Sequence, residues 1–83
     1  MNIPVKIVIG CSVIVHHKVG NFRYTEYEGI VEDVILFGSS KISNIHYAVS
    51  IKGRPGQINT VHITEILQFT FGGVWVPNHL FHN

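Results

Sequence analysis

The amino-acid sequence predicts an all-β domain in which short antiparallel strands close into a small barrel. Segments rich in β-branched and aromatic residues fill most of the 83-residue chain, and Gly, Ser, Asn and Pro separate them. No segment longer than one or two turns has the periodicity of a helix. Five or more short strands without a helix form a barrel or a sandwich, and the short chain favours the barrel.

The N-terminal part of the chain predicts a lead-in, a strong strand and an aromatic loop. Residues 1–9 are apolar, with Pro4 opposing an early helix, and form a lead-in or a first strand. Residues 12–17 are a strand of mainly β-branched residues, and residues 18–21 have turn chemistry. Residues 22–27 alternate aromatic and polar side chains and form a loop or a short strand. A loop at this place in a small barrel is often the binding loop.

The second strong strand spans residues 29–37, and its alternation is broken in the middle. Val31 and Val34 cannot both face the core of a regular strand, because side chains alternate between the two faces. One extra residue would bring both to the same face. The sequence therefore predicts a β-bulge or a strong bend near Glu32 and Asp33.

The middle of the chain predicts two further strands and a tight turn. After a turn at residues 38–41, residues 47–52 alternate cleanly between apolar and small or polar side chains. Residues 53–56 form a hairpin loop, and residues 57–63 return as a strand. A single tight turn follows at residues 64–67. The order of a long first loop, two hairpins and a tight turn favours the SH3-like type of barrel.

The C-terminal part predicts a β-hairpin added to this barrel. Gly72 and Gly73 separate two alternating apolar runs, and both central positions of the favoured two-residue turn require positive φ. Pro77 ends the second run, and the residues after it are expected to be a loose end. The predicted division is a barrel over residues 1–67 and a hairpin and tail over residues 68–83.

Composition argues for a binding protein more than for an enzyme. The net charge is +1 and only 13% of residues are charged, which is too weak a balance to indicate a nucleic-acid or membrane partner. Residues 5–15 are the longest apolar run near the start and are too short to span a bilayer, which takes about 20 apolar residues. The 46% of hydrophobic residues indicates an interface with a protein partner.

The cysteine and histidines do not predict a catalytic, cofactor or metal site. Cys11 is the one cysteine, so no internal disulfide can form, and a reducing, cytoplasmic compartment fits. Next to a strand, it is expected to be a small buried hydrophobe. His16 and His17 are adjacent on a strand and point to opposite faces, so they cannot chelate one ion together.

Two surfaces remain as alternative interaction sites. A cluster of carboxylates on the second strand is either a solvated face or a docking surface for a basic partner. Cations interleaved with aromatic residues near the first loop leave a nucleic-acid-binding module open. The carboxylates are Glu26, Glu28, Glu32 and Asp33; the cations and aromatics are Lys18, Arg23, Lys41, Lys52, Arg54, Phe22, Tyr24 and Tyr27.

Four runs in order along the chain resemble one family. They are Ser12–His17, Tyr27–Val31, Lys41–Asn44 followed by Tyr47–Ile51, and Val61–Leu67. Together they resemble the variable (alpha) chain of ferredoxin–thioredoxin reductase, a small SH3-like barrel. The resemblance covers roughly residues 8–67 and implies a non-catalytic subunit that stabilises an iron–sulfur chain. The cluster and the redox-active cysteines would then belong to that partner, and the resemblance implies the chloroplast stroma as an alternative to the cytoplasm.

The predicted partner-binding residues come from the resemblance and from the aromatic segments. Tyr24 belongs to the aromatic loop, and Trp75 belongs to a hairpin that must pack on the barrel or on another chain. The resemblance adds His16, His17, Ile42, Asn44 and His62. A small phage or plasmid inhibitor that binds a host enzyme is a further alternative on the same scaffold.

Overall fold

The computed structural model describes residues 6–38 and 44–82, which form one antiparallel sheet with a turn of 3-10 helix before its fifth strand. The strands are β1 (Ser12–Lys18), β2 (Tyr24–Leu36), β3 (Ile45–Ile51), β4 (Ile58–His62), β5 (Ile66–Phe71) and β6 (Val74–Pro77), and the 3-10 turn is Ile63–Glu65. Their order in the sheet is β4-β3-β2-β1-β5-β6. The all-β prediction is confirmed. In the described ranges no ladder joins the edge strands β4 and β6, so the sheet is not closed, and the barrel and its SH3-like type stay predictions.

The predicted bulge in β2 is confirmed. Val31 pairs with Val49 of β3, but the next pair is Asp33 with Ala48, so the register shifts by one residue at Glu32. Beyond the shift, Val34 pairs with Tyr47 on the face that contains the core. The extra residue therefore keeps Val31 and Val34 on the same side of the sheet.

The core lies on one face of the sheet, which we call the inner face. Strand β3 shows the expected alternation, because Ile45, Tyr47 and Val49 are buried and the residues between them are not. Burial raises the pKa of the Tyr47 hydroxyl to about 12. The complete core consists of Ile7, Val13, Val15, Val31, Ile45, Tyr47, Val49, Val61, Ile63, Ile66 and Phe69.

The sheet curls over its own inner face. Asn59 of β4 donates a hydrogen bond from Nδ2 to the hydroxyl oxygen of Tyr27 at 3.2 Å, although β3 lies between β4 and β2 in the sheet. Curling explains how side chains of a single sheet reach almost complete burial. No helix in the described ranges is long and apolar enough to cross a membrane.

The C-terminal hairpin is confirmed and continues the same sheet. Gly72 and Gly73 have φ angles of 60° and 80°, as the two-residue turn between β5 and β6 requires. Strand β5 also pairs with β1, where Val13 lies opposite Phe69. The predicted domain boundary between residues 67 and 68 falls inside β5.

The expectation of a loose end after Pro77 is wrong for residues 78–82. Asn78 is buried, with 7% of its surface exposed, and its side chain bonds to the backbone around the 3-10 turn. The backbone N–H of His82 donates to the carbonyl of Thr64 at 2.9 Å. Hydrogen bonds hold this segment without regular strand or helix, so no periodicity in the sequence reveals it.

Candidate protein-binding face and polar cleft

We call the face of the sheet that points away from the core the outer face. A row of exposed apolar and small residues crosses this face. The large members are Trp75, Ile30 and Ile58, which are 40%, 46% and 56% exposed. Serine and threonine residues lie between them. Because neighbouring strands are about 4.8 Å apart, large and small side chains follow one another closely across the sheet. The register of the ladders gives this outer row as Trp75, Thr70, Ser12, Ile30, Ser50 and Ile58.

Carboxylates flank the outer row along β2, and we call them the acidic band. The band contains four of the five acidic residues of the chain, Glu26, Glu28, Glu32 and Asp33. Alternation places the first three on the outer face, and the bulge places Asp33 there with Ala48. The Glu28 carboxylate pairs with the Lys52 ammonium at 3.3 Å, whereas Glu32 and Asp33 have no ion pair within the described chain.

An aromatic group lies at the end of the outer face, beside the β1–β2 turn. The rings of His16 and Tyr24 stack with centroids 4.3 Å apart, and the ring of Phe81 stands perpendicular to His16 at 5.8 Å. Glu26 lies opposite His16 in the ladder, with 3.8 Å between the ring nitrogen and a carboxylate oxygen. Sequence reasoning missed Phe81, because it assigned that residue to a loose end.

The predicted partner-binding residues therefore divide between different parts of the molecule. His16, Tyr24 and Trp75 share the outer face, whereas His17 lies on the inner face. His62 ends β4 and is the N-cap of the 3-10 turn, where its Nδ1 accepts a hydrogen bond from the Thr64 N–H at 3.2 Å.

The last two predicted residues lie at the connection between β2 and β3. The carbonyl of Asn44 accepts a hydrogen bond from the Phe37 N–H at 3.0 Å and closes the base of this connection. Ile42 lies outside the described residues.

A polar cleft of about 550 Å³ opens at one end of the inner face, between the β1–β2 and β3–β4 hairpins. Its side chains include His17, Tyr27, Arg54 and Asn59. Partial burial raises the pKa of the Tyr27 hydroxyl, and the hydrogen bond from Asn59 partly opposes this effect. The phenol is therefore neutral, with its proton in place, at physiological pH.

Glu65 fixes His17 at the edge of the cleft. Its carboxylate oxygen Oε2 lies 3.1 Å from Nδ1 of His17 and accepts the backbone N–H of Lys18 at 3.1 Å. The other oxygen accepts the backbone N–H of His62 at 2.8 Å, as in a capping box. In the sequence, the signal for this capping box is Glu65, three positions after the N-cap residue His62. Sequence reasoning did not use it.

Cys11 occupies the opposite end of the inner face and is a poor nucleophile. Burial raises the pKa of its thiol, and the side chain packs against the core. It also lines an open hollow with Lys6 and Phe71, in which the Lys6 ammonium lies 5.0 Å from the centre of the Phe71 ring. Over the part of the chain that the structure describes, no three His, Cys, Asp or Glu side chains are grouped to hold a metal ion.

We expect the folded chain to react slowly with iodoacetamide at pH 7.5. A raised thiol pKa lowers the thiolate fraction, and only the thiolate attacks, so Cys11 should react at least about threefold more slowly than in the urea-unfolded chain. Mass spectrometry of timed samples measures both rates. Equal rates would show that the thiol is not protected by burial.

Comparisons with known proteins do not place the chain in a family. No family model, no curated protein and no solved structure matches it.

Proposed function

We propose that this chain is a non-catalytic protein-binding subunit that docks on its partner through the outer face of the sheet. The observation that supports this proposal is the outer row with its acidic band. Three large apolar residues lie exposed across one continuous sheet surface, and carboxylates border them. An apolar centre with a charged border is the arrangement of a protein interface.

The negative charges of the acidic band indicate that the partner surface is basic. Glu32 and Asp33 lie on the outer face without a cation from the described chain to neutralise them. A basic partner surface would pair with them, and this complementarity would guide the encounter and fix its orientation. The same carboxylates repel phosphate, which argues against nucleic acid on this face.

The resemblance to the variable chain of ferredoxin–thioredoxin reductase supplies the proposed class of partner, an iron–sulfur redox chain. Three features support an SH3-like barrel of that kind: the order of β1 to β5, the 3-10 turn before β5, and the contact of Tyr27 with Asn59 across the inner face. In this proposal the cofactor belongs to the partner. The subunit would then work in the cytoplasm or the chloroplast stroma.

One observation favours a nucleic-acid-binding module as the second candidate. Phe22 is 95% exposed at the turn between β1 and β2, and Arg23 is next to it. An exposed ring beside a cation is suited to stacking on an unpaired base. This candidate uses the turn and not the outer row, so variants of the outer row separate the two.

The test is capture of partners from the native source by the tagged chain, with the visible absorption spectrum of the eluted material. We expect the unchanged chain to capture an iron–sulfur protein. Ile30→Asp and Asp33→Lys should each weaken that complex by roughly tenfold, because they place a charge in the apolar centre or reverse one at its border. Lys6→Glu changes an exposed charge away from the outer face and should bind like the unchanged chain.

Three results would contradict the proposal in different ways. Nucleic acid in the eluate, lost on raising the salt concentration, would favour the second candidate. A colourless enzyme bound through the outer row would retain the docking face but replace the redox partner, as for an inhibitor protein. Equal capture by Ile30→Asp and the unchanged chain would exclude the outer face as the docking surface.

A further inference from the structure

The polar cleft interrupts a face that is otherwise apolar. Along β1, Val13 and Val15 are completely buried, and His17, the next residue on the same face, lines the cleft. Thr25 of β2 lies opposite His17 in the ladder, and Tyr27 of β2 and Asn59 of β4, on the same face, also line the cleft. Polar groups facing a core are costly unless they are bonded, and aliphatic side chains would extend this core more simply. Here Tyr27 and Asn59 bond to each other and His17 bonds to Glu65, so the polar lining is satisfied and the Tyr27 hydroxyl proton remains as a donor facing the cleft.

One cation of the cleft has no carboxylate partner within the described ranges, whereas the Lys52 ammonium, which also lines the cleft, pairs with Glu28 at 3.3 Å. The Glu65 carboxylate at its edge is already bonded to two backbone N–H groups and to the ring of His17. Arg54 lines the cleft from the β3–β4 turn, and within residues 6–38 and 44–82 no carboxylate pairs with its guanidinium. Glu26, which also lines the cleft, lies opposite His16 in the ladder, and its carboxylate is 3.8 Å from the His16 ring nitrogen on the outer face.

The cleft also offers a neutral hydrogen-bond donor with a fixed position. The hydroxyl oxygen of Tyr27 accepts the Asn59 amide N–H, which leaves the hydroxyl proton available to a ligand. On His17, Nδ1 is engaged with the Glu65 carboxylate, and a neutral imidazole that donates from Nδ1 has only an acceptor at Nε2, so His17 offers an anion no donor there. The Tyr27 hydroxyl is held by Asn59 and needs little reorganisation to bind.

We propose that the polar cleft binds a small oxyanion, the carboxylate or phosphate group of a ligand, between the Arg54 guanidinium and the Tyr27 hydroxyl. A guanidinium presents parallel N–H donors that match two oxygens of such a group. The phenol supplies a further donor from the opposite wall. This site is separate from the outer face, so the result of its test does not depend on the proposed docking function.

The experiment is a titration of the intact ¹⁵N-labelled chain with sodium phosphate and, separately, with sodium acetate. Sodium chloride keeps the ionic strength constant. We expect amide shifts around Arg54, Gln57 and Asn59 that saturate in the millimolar range, which is the order of magnitude for a ligand of a few atoms. Saturation with acetate alone assigns a carboxylate ligand, saturation with phosphate alone assigns a phosphate, and saturation with both assigns a general oxyanion site.

Variants distinguish a built site from a general effect of charge. Arg54→Gln should weaken binding by roughly tenfold, because it removes a charged donor pair from an exposed side chain. Tyr27→Phe should weaken it by roughly fivefold, because the ring remains and only a neutral donor is lost. Lys6→Gln removes the same unit of charge at the other end of the inner face and should leave binding unchanged.

Two results would overturn the proposal. Shifts that stay linear up to the highest concentration of both anions would show that no site exists. Equal loss of binding in Arg54→Gln and Lys6→Gln would show that the anions respond only to the net charge of the chain.

Discussion

Gly29→Ala should destabilise this chain by about 3 kcal/mol, because the methyl group would overpack a closed part of the sheet. Gly29 is buried on the inner face of β2, between Val13 of β1 and Ile51 of β3. A Cβ atom at this position would lie 2.5 Å from the carbonyl oxygen of Ser50 and 2.5 Å from a methyl group of Val49. The first of these atoms is backbone, so a rotamer change cannot relieve the contact. The two strands would have to separate.

Thermal unfolding followed by circular dichroism measures the effect. For a domain of this size, a loss of about 3 kcal/mol lowers Tm by about 12–24 °C. Gly20→Ala is the matched control, because its added methyl would meet nothing closer than the Cβ of Arg23 at 3.8 Å. The control should stay within about 0.5 kcal/mol of the unchanged chain. Similar Tm values for the two variants would show that β2 and β3 are not packed as closely as the structure has them.

The sequence predicts most of the strands here because period-two alternation is a local signal. The alternation over β3 identifies the buried residues Tyr47 and Val49, and the mismatch between Val31 and Val34 identifies the bulge. Both depend on residues a few positions apart. The paired glycines of the C-terminal turn are equally local, since positive φ is a property of the residue itself.

The candidate sites are harder to predict because contacts distant in the sequence create them. Alternation separates His16 from His17, as expected, but only the pairing of β1 with β5 brings Glu65 to His17, 48 positions away. The outer row likewise depends on register across six strands, which no single segment of sequence contains. Residue-by-residue reasoning therefore found members of the outer face, such as Trp75, without the face itself.

Loss of the Asn78 side chain should produce the second large decrease in the free energy of unfolding. This one polar side chain holds a segment that has no regular secondary structure. The amide nitrogen donates to the carbonyls of Ile63 at 2.9 Å and Ile66 at 2.8 Å, on either side of the 3-10 turn. The amide oxygen accepts the Leu80 N–H at 3.1 Å. One side chain thus joins the turn to the C-terminal segment in a place that water scarcely reaches.

Asn78→Asp keeps the shape of the side chain but replaces the donor by an oxygen that faces two carbonyl oxygens. Because buried carbonyls that lose their donors are costly, we expect a destabilisation of about 2–4 kcal/mol, measured by urea unfolding. His79→Ala, a change at the next and exposed position, should stay within about 0.5 kcal/mol of the unchanged chain.

Hydrogen exchange distinguishes loss of this bridge from general weakening of the sheet. The amide of His82, which donates to Thr64, should exchange much faster in Asn78→Asp, while the amides of β3 should change only as global stability does. The ring of Phe81 should then leave His16, since the segment that positions it is no longer tied to the turn. If the His82 amide kept its protection, the backbone bonds alone would hold the segment, and Asn78 would contribute only to the burial of its own surface.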